Sequence, residues 1–320
     1  MGQSKILIIG IGFYNYEQAI VDNLKKRGYE VDYMISVYRS KLMSLCSKFR
    51  LQNRIQDYYL SNEINKLTKS YDIILIIKGE GFHKHHIQQL KKGNPAAKFV
   101  LYLWDSMERL DNAQILIDGI STIYTFDRID AIRYNLKFRP LFFLKSNIEP
   151  QTDNIKYAVF FLGWLHSDRY QLVSSIRRQL RQHNISYKFL IYTGRLRYFI
   201  DRYIKKIIRK DDSDMFIFSP IGYNEYIKYC IESNVILDIA HPNQNGLTMR
   251  TIEAIGLNKR LITTNKDVAN YPTINNVCQI IDRSNPIIDV DFIKGINTSA
   301  ISDNLYYTLN TFIDDILSTI

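Results

Sequence analysis

Val235-Ile236-Leu237-Asp238-Ile239 leads into His241-Pro242-Asn243-Gln244-Asn245-Gly246-Leu247-Thr248-Met249-Arg250-Thr251-Ile252-Glu253, and Leu261-Ile262-Thr263-Thr264-Asn265 follows. A short apolar run gives way to a glycine-containing loop, then to an amphipathic segment that ends near Gly256, then to a second apolar run. Such continuous apolar runs are expected of strands whose two faces are both covered by helices. Glycine lets the loop backbone come close to a ligand. The N–H groups of Gly246, Leu247 and Thr248 at the expected helix start, with the helix dipole, favour an anion such as a diphosphate. Glu253, further along the same helix, supplies a carboxylate suited to the hydroxyls of a ribose.

The same alternation extends in both directions. Strands are expected at Lys5–Ile9, Val31–Met34, Ile73–Ile77, Phe99–Leu103 and Thr122–Tyr124, with helices such as Tyr16–Arg27 and His83–Lys92 between them. Pro140–Asn154, with Pro140, Ser146, Asn147, Pro150 and Asp153, reads as a linker. The pattern then restarts with strands at Tyr157–Leu162, Tyr187–Tyr192, Met215–Phe218, Val235–Ile239 and Arg260–Thr263, and helices at Arg169–His183, Arg197–Ile208, Asn224–Ile231 and Leu247–Ile255. A last amphipathic helix runs over Ser302–Leu317. Strand–helix repetition predicts an α/β class with parallel sheets. Two Rossmann-like domains facing a cleft are expected, over residues 1–149 and 150–320, with the last helix packing back on the first domain. Ligands bind at the carboxyl ends of strands in such sheets.

Composition is globular: 320 residues, 46% hydrophobic and 23% charged, which argues against disorder. No apolar run approaches the roughly 20 residues of a membrane span, and the start MGQSKILIIG turns strand-like too soon for a signal peptide. Cys46, Cys230 and Cys278 form no close pair, as expected of a reducing cytoplasm without a structural zinc. A net charge of +10 implies an anionic partner. Basic stretches lie at Arg39–Arg54, Arg169–Arg181 and Arg195–Lys210, interleaved with apolar residues. They suit an anionic membrane surface, and no nucleic-acid-binding motif accompanies them.

Other motifs are weighed by their chemistry. Gly10-Ile11-Gly12-Phe13-Tyr14-Asn15 lacks the third glycine of a dinucleotide fingerprint. Gly12, Phe13, Tyr14 and Trp104 are read instead as an acceptor-binding surface. Asp32 is where a ribose carboxylate would lie if the dinucleotide reading held. His83, His85 and His86 have few carboxylates at ligand spacing and read as a solvated helix start. Asp212-Ser213-Asp214 matches a metal-binding Asp-x-Asp pattern and reads as a solvated turn. Glu80 and Asp105 follow predicted strands, and an inverting transferase needs one carboxylate to deprotonate the acceptor hydroxyl. Asp105, beside Trp104, is the first candidate.

The block from His241 to Asn265 resembles the donor-site motif of GT-B glycosyltransferases, and within them a bacterial group of capsular or lipopolysaccharide biosynthesis. Many retaining members carry two glutamates eight positions apart; here Asn245 stands at the first and Glu253 at the second. The resemblance extends loosely to Phe160–Arg169 and to Gly10–Tyr16. It implies a nucleotide sugar held by His241, Asn245, Gly246, Leu247, Thr248, Arg250 and Glu253, with Gly163 and Arg169 at the first strand–helix turn of the second domain and Tyr223 near the base. The expected activity is glycosyl transfer to a glycan or polyprenyl-linked acceptor in surface-polysaccharide synthesis. It is expected to need no metal or cofactor, on the cytoplasmic side of the membrane and peripheral to it. The alternatives are an NAD(P)-dependent oxidoreductase built on Gly10-x-Gly12 and a non-catalytic membrane- or nucleic-acid-binding protein.

Overall fold

The structure is a computed structural model that describes residues 3–12, 15–38, 52–144, 155–242, 244–295 and 304–318. The chain divides into two compact units, Met1–Leu141 with Leu309–Ile320, and Phe142–Thr308. The division therefore falls at 141/142, where the sequence suggested 149/150, and the C-terminal segment belongs to unit 1.

In unit 1 the order is β1 (Lys5–Gly10), α1 (Tyr16–Lys26), β2 (Glu30–Ile35), α2 (Gln52–Asn65), β3 (Ile73–Ile77), α3 (Lys84–Gly93), β4 (Lys98–Leu103), α4 (Ala113–Gly119), β5 (Thr122–Thr125), α5 (Arg128–Arg133) and β6 (Lys137–Phe138). These strands form one parallel sheet in the order β2-β1-β3-β4-β5-β6. Every residue of β3 is buried, as a strand with helices on both sides requires.

Unit 2 runs β7 (Tyr157–Trp164), α6 (Arg169–Gln182), β8 (Tyr187–Tyr192), α7 (Arg195–Phe199), β9 (Phe216–Ile217), α8 (Tyr223–Ile231), β10 (Ser233–Asp238), α9 (Met249–Gly256), β11 (Arg260–Thr263), α10 (Pro272–Asn275), β12 (Cys278–Ile280) and α11 (Val290–Lys294). Its sheet is parallel, in the order β12-β11-β10-β7-β8-β9. Alternate strand residues enter different cores. Val159, Phe161, Val235 and Leu237 pack with Val173 and Ile176 of α6. Phe160 and Ile236 pack with Ile227 of α8 and Ala254 of α9. A period of two within an unbroken apolar run thus serves two helical layers.

Three helices stop the same way. Asn135, Asn184 and Asn258 follow α5, α6 and α9 in the left-handed region, at φ 51°, 53° and 53°. The next amide reaches back five residues in each case: Leu136 N to Ala131 O at 2.9 Å, Ile185 N to Leu180 O at 2.9 Å and Lys259 N to Ala254 O at 2.8 Å. Asparagine tolerates this conformation better than other residues with a side chain.

Three readings need adjustment. The helix expected over Arg197–Ile208 begins at Arg195 and opens at Ile200–Ile204 into a π turn. The edge strands β6 and β12 escaped the reading because two or three residues carry no run to recognise. The expected last helix is a 3₁₀ turn at Asn304–Tyr307 and then α12 (Leu309–Leu317).

Helix α12 completes unit 1. Its Phe312 is buried against Tyr102, ring centroids 4.8 Å apart and nearly perpendicular. Arg139, 1% exposed, is paired to Asp315 at 2.6 Å, and Tyr124 Oη donates to Asp315 O at 2.9 Å. Truncating a large buried aromatic costs about 3–5 kcal/mol. Phe312→Ala is therefore expected to lower the urea midpoint of unit 1 by that stability at an unchanged slope, read by equilibrium unfolding.

Candidate functional site

Each sheet has one topological switch point, where the chain leaves its first strand to opposite sides: between β7 and β10 in unit 2, and between β1 and β3 in unit 1. Open parallel sheets bind ligands at the carboxyl ends of strands at such points.

In unit 2 the β7–α6 turn and the β10–α9 loop meet there. The hub is Asp238, the last residue of β10 and fully buried. Its Oδ2 accepts from Thr248 Oγ1 at 2.7 Å and Thr251 Oγ1 at 3.0 Å, and its Oδ1 from Arg250 Nη1 at 2.7 Å. Thr248 is the N-cap of α9 and accepts from Thr251 N at 3.1 Å. Asn265 Nδ2 donates to Gly246 O at 2.9 Å, and Ala240 N donates to Thr264 Oγ1 at 3.1 Å. The loop is thus fixed from β10 and β11 together.

The arginines here differ from their expected roles. Arg169 is 8% exposed and donates to Trp164 O at 3.0 Å and Ile239 O at 2.8 Å, bracing the ends of β7 and β10. Burial, and then the neighbouring Arg250 guanidinium, push its pKa down to about 10. Arg250 is spent on Asp238. Burial alone would lower its pKa, but that carboxylate outweighs the effect and holds it above the usual value. Arg283, which the sequence did not single out, joins the two loops: it pairs with Asp168 at 2.9 Å and donates to Ala240 O. Three guanidinium groups, Arg169, Arg250 and Arg283, are therefore set among the carboxylates of Asp168, Asp238 and Glu253 around the start of α9.

The other expected residues are placed as follows. Gly163 has no room for a Cβ, which would lie 2.7 Å from Phe161 Cζ and 3.1 Å from Arg169 Cδ. His241 lies beside His166, ring centroids 5.6 Å apart. Asn245 is exposed, Gly246 and Leu247 are buried. Glu253 is 4% exposed, close enough to Cys230 of α8 to help push that thiol up, after burial itself. Tyr223 opens α8, its ring 6.3 Å from Tyr226. Trp164, at the carboxyl end of β7, is 57% exposed and nearly perpendicular to Tyr192 at 4.5 Å.

Unit 1 treats its first turn differently. Glu17 of α1, 1% exposed, accepts from Ile11 N and Gly12 N at 2.9 Å each, and from Tyr33 Oη. A Cβ on Gly10 would lie 2.3 Å from that carboxylate. The protein's own anion occupies the amides a dinucleotide pyrophosphate would need, so the oxidoreductase reading of Gly10-x-Gly12 is overturned. Asp32 is likewise engaged, by Tyr71 Oη at 2.8 Å.

Beyond β3 and β4 lies an open cavity of about 380 Å³ whose walls include Lys78, Glu80, Asp105, Arg109 and Asn112. Lys78 Nζ bridges Glu80 at 2.7 Å and Asp105 at 2.9 Å, and Arg109 pairs with the other Asp105 oxygen at 3.2 Å. Burial alone would lower the Lys78 pKa, but its two carboxylates hold it above the usual value. The wall is turned by Lys78, Gly79 and Gly81 at φ 66°, 71° and 83°; a lysine there stores local strain. Gly12 and Trp104 do not line this cavity; Trp104 packs near Tyr16 and Tyr102. Phe13 and Tyr14 lie outside the described residues, as does most of the basic stretch Arg39–Arg54.

Two motifs expected to be solvated are not. Asp212 is buried and accepts from Tyr170 Oη at 2.9 Å, Ser174 Oγ at 2.6 Å and Arg177 Nη1 at 3.1 Å, while Asp214 takes the other end of Arg177 at 2.6 Å. The Asp-x-Asp pattern is thus a structural ion cluster, and Arg177 is no surface cation. His86 is fully buried. Its Nε2 lies 3.5 Å from Asp57 Oδ1, with His85 Nε2 3.2 Å from the same oxygen, so Asp57, His85 and His86 sit at metal-ligand spacing. His86 Nδ1, however, accepts from His83 N at 3.0 Å. That leaves the ring proton on Nε2, facing Ser61 Oγ at 3.0 Å, and Nε2 without a lone pair for a cation. Burial pushes this imidazole's pKa down to about 4.

Removing one partner of a buried charge network leaves the others uncompensated, at about 3–5 kcal/mol. Asp238→Ala is expected to lose that stability in chemical unfolding and to free the start of α9 to hydrogen exchange.

No family model and no curated protein matches the sequence. Solved structures do match in shape. A lipopolysaccharide outer core galactosyltransferase, WaaB, superposes at TM-score 0.55 with 13% identity, over 99% of this chain and 100% of that one. A glycosyltransferase from Rickettsia africae does so at 0.57 with 13% identity, over 100% and 98%. A UDP-N-acetylglucosamine 2-epimerase from Rickettsia bellii gives 0.57 with 12% identity, over 99% and 97%. With two parallel six-stranded α/β units aligned along its whole length to such proteins, the chain has the GT-B fold.

Proposed function

We propose that the chain is a glycosyltransferase of bacterial surface-polysaccharide assembly, moving a sugar from a nucleotide-sugar donor to a glycan or lipid-linked acceptor. The observation that carries this is the cluster of three arginines at the β7/β10 switch point, beside the capped start of α9. Thr248 Oγ1 accepts from the Thr251 amide, and the N-terminal end of a helix favours an anion. A leaving diphosphate is stabilised best by such fixed donors and cations, aimed before the reaction at the charge that develops. Arg169, Arg250 and Arg283 stand together at this helix start, and the exposed Trp164 offers a flat face to a base. Glu253 is assigned to the pentose. Because the Asp-x-Asp carboxylates are bound internally, the arginines take the role a divalent metal has in other transferases.

Unit 1 is assigned the acceptor. Its cavity is lined by charged and amide side chains, which suits a polyhydroxylated sugar. Asp105 borders this cavity, its two oxygens paired with Lys78 and Arg109, and is assigned the role of base. A 2-epimerase shares the fold, so the decisive assay follows products as well as binding: transfer releases a nucleoside diphosphate, whereas epimerisation returns an isomerised nucleotide sugar.

Calorimetry with UDP, GDP and CMP and their sugars is expected to find one nucleotide that binds, and Glu253→Gln to weaken it by at least about tenfold. Asp105→Asn is expected to lower turnover by about 10²–10⁴ at unchanged donor affinity. Normal nucleotide affinity in Glu253→Gln would remove that residue from the donor site.

A further inference from the structure

Residues 195–210 form a surface that the donor and acceptor sites leave unused. The segment begins as α7 and widens into the π turn Ile200–Ile204. Leu196, Phe199, Tyr203, Ile204 and Ile207 recur at a helical spacing that normally faces a core. Here they face outward, with exposures from 43% to 73%. The inward side is filled by others: Tyr198 packs on Phe216, ring centroids 5.0 Å apart, while Asp201 and Ile208 are buried. Five large apolar side chains within twelve residues exceed the scattered exposure that soluble surfaces ordinarily show.

The same segment carries seven cations against a single acid, Asp201. Arg195, Arg197, Lys205, Lys206, Arg209 and Lys210 are exposed. Asp201 is engaged by Arg197 and, at 3.5 Å, by Lys205. Arg202 lies over the Tyr203 ring at 5.3 Å. Lys206 ends the turn in the left-handed region at φ 53°, so Lys205, Lys206 and Ile207 project at a bend.

Apolar tips ringed by cations match one environment in particular. The apolar groups gain from the acyl boundary, and the cations gain from the negative headgroups immediately above it. A protein partner would need acids around an apolar groove. A nucleic acid would use the cations and leave Leu196, Ile204 and Ile207 in water. We propose that residues 195–210 of unit 2 form an interfacial anchor for an anionic lipid bilayer, lying on the membrane without crossing it. No helix among the described residues is long and apolar enough to span one.

The inference does not rest on the donor-site reading, since vesicle binding is measured with no sugar nucleotide present. Co-sedimentation with vesicles of phosphatidylglycerol and phosphatidylcholine is expected to pull down the full chain, and pure phosphatidylcholine to retain at least about tenfold less. Raising the salt is expected to release part of the bound protein, because only the cationic share is screened. The double variant Leu196→Glu, Ile204→Glu, at exposed positions that folding does not need, is expected to bind at least about tenfold less at an unchanged melting temperature. Lys205→Glu with Lys206→Glu is expected to lose the preference for anionic vesicles. Equal binding to both vesicle types, wild-type binding by the double variant, or a solution dimer abolished by those same substitutions would each overturn the anchor, the last by assigning the patch to a second copy of the chain.

Discussion

One buried carboxylate organises the second unit. Asp238 closes β10 and, through two threonine hydroxyls and one guanidinium, sets where α9 begins. A charge without solvent is tolerated only when its lone pairs are filled, so the three partners have little freedom to move. The consequence for chemistry is geometric. The helix start and its arginines are fixed by the protein's own side chains, and preorganisation of that kind is what makes fixed dipoles effective.

The two units show the same topology put to opposite ends. Each has a first strand, a tight turn and a helix at its switch point. In unit 1 the turn is closed from within, because Glu17 reaches back to the amides of Ile11 and Gly12. In unit 2 the acids near the switch point are answered by arginines, and the cap on α9 satisfies a deeper amide. A self-supplied carboxylate makes one turn a structural joint, while the other gathers three arginines. Unit 1 instead opens its cavity beyond β3 and β4, where Lys78 holds two carboxylates in a backbone conformation that costs energy.

Much of the architecture was legible because it rests on apolar runs. β3, β8 and β11 occupy the residues their hydrophobicity suggests, and α6 follows its periodicity. Short edge strands carry too few residues to signal anything, and the π turn after α7 cannot be told from a continuing helix by spacing. The site was legible as loops and not as roles. Arg169, Arg177 and Asp212 look like surface or ligand residues in the sequence, and burial commits them to internal partners. Asp238 did leave a trace, as an acid within the run Val235–Ile239. Arg283 left none, since what it reaches lies far away in sequence.

The closing of unit 1 by α12 has a consequence for how the polypeptide is made. Unit 2 is encoded wholly inside unit 1. Domains fold largely as the ribosome releases them, so the internal unit emerges complete while its host still lacks a piece. Until Phe312, Ile313 and Ile316 appear, Ile6, Ile20, Leu24, Ile73 and Leu75 have nothing to cover them. For that interval the nascent chain carries a greasy flank, and a stretch translated after unit 2 is what seals the strand and helix translated before it.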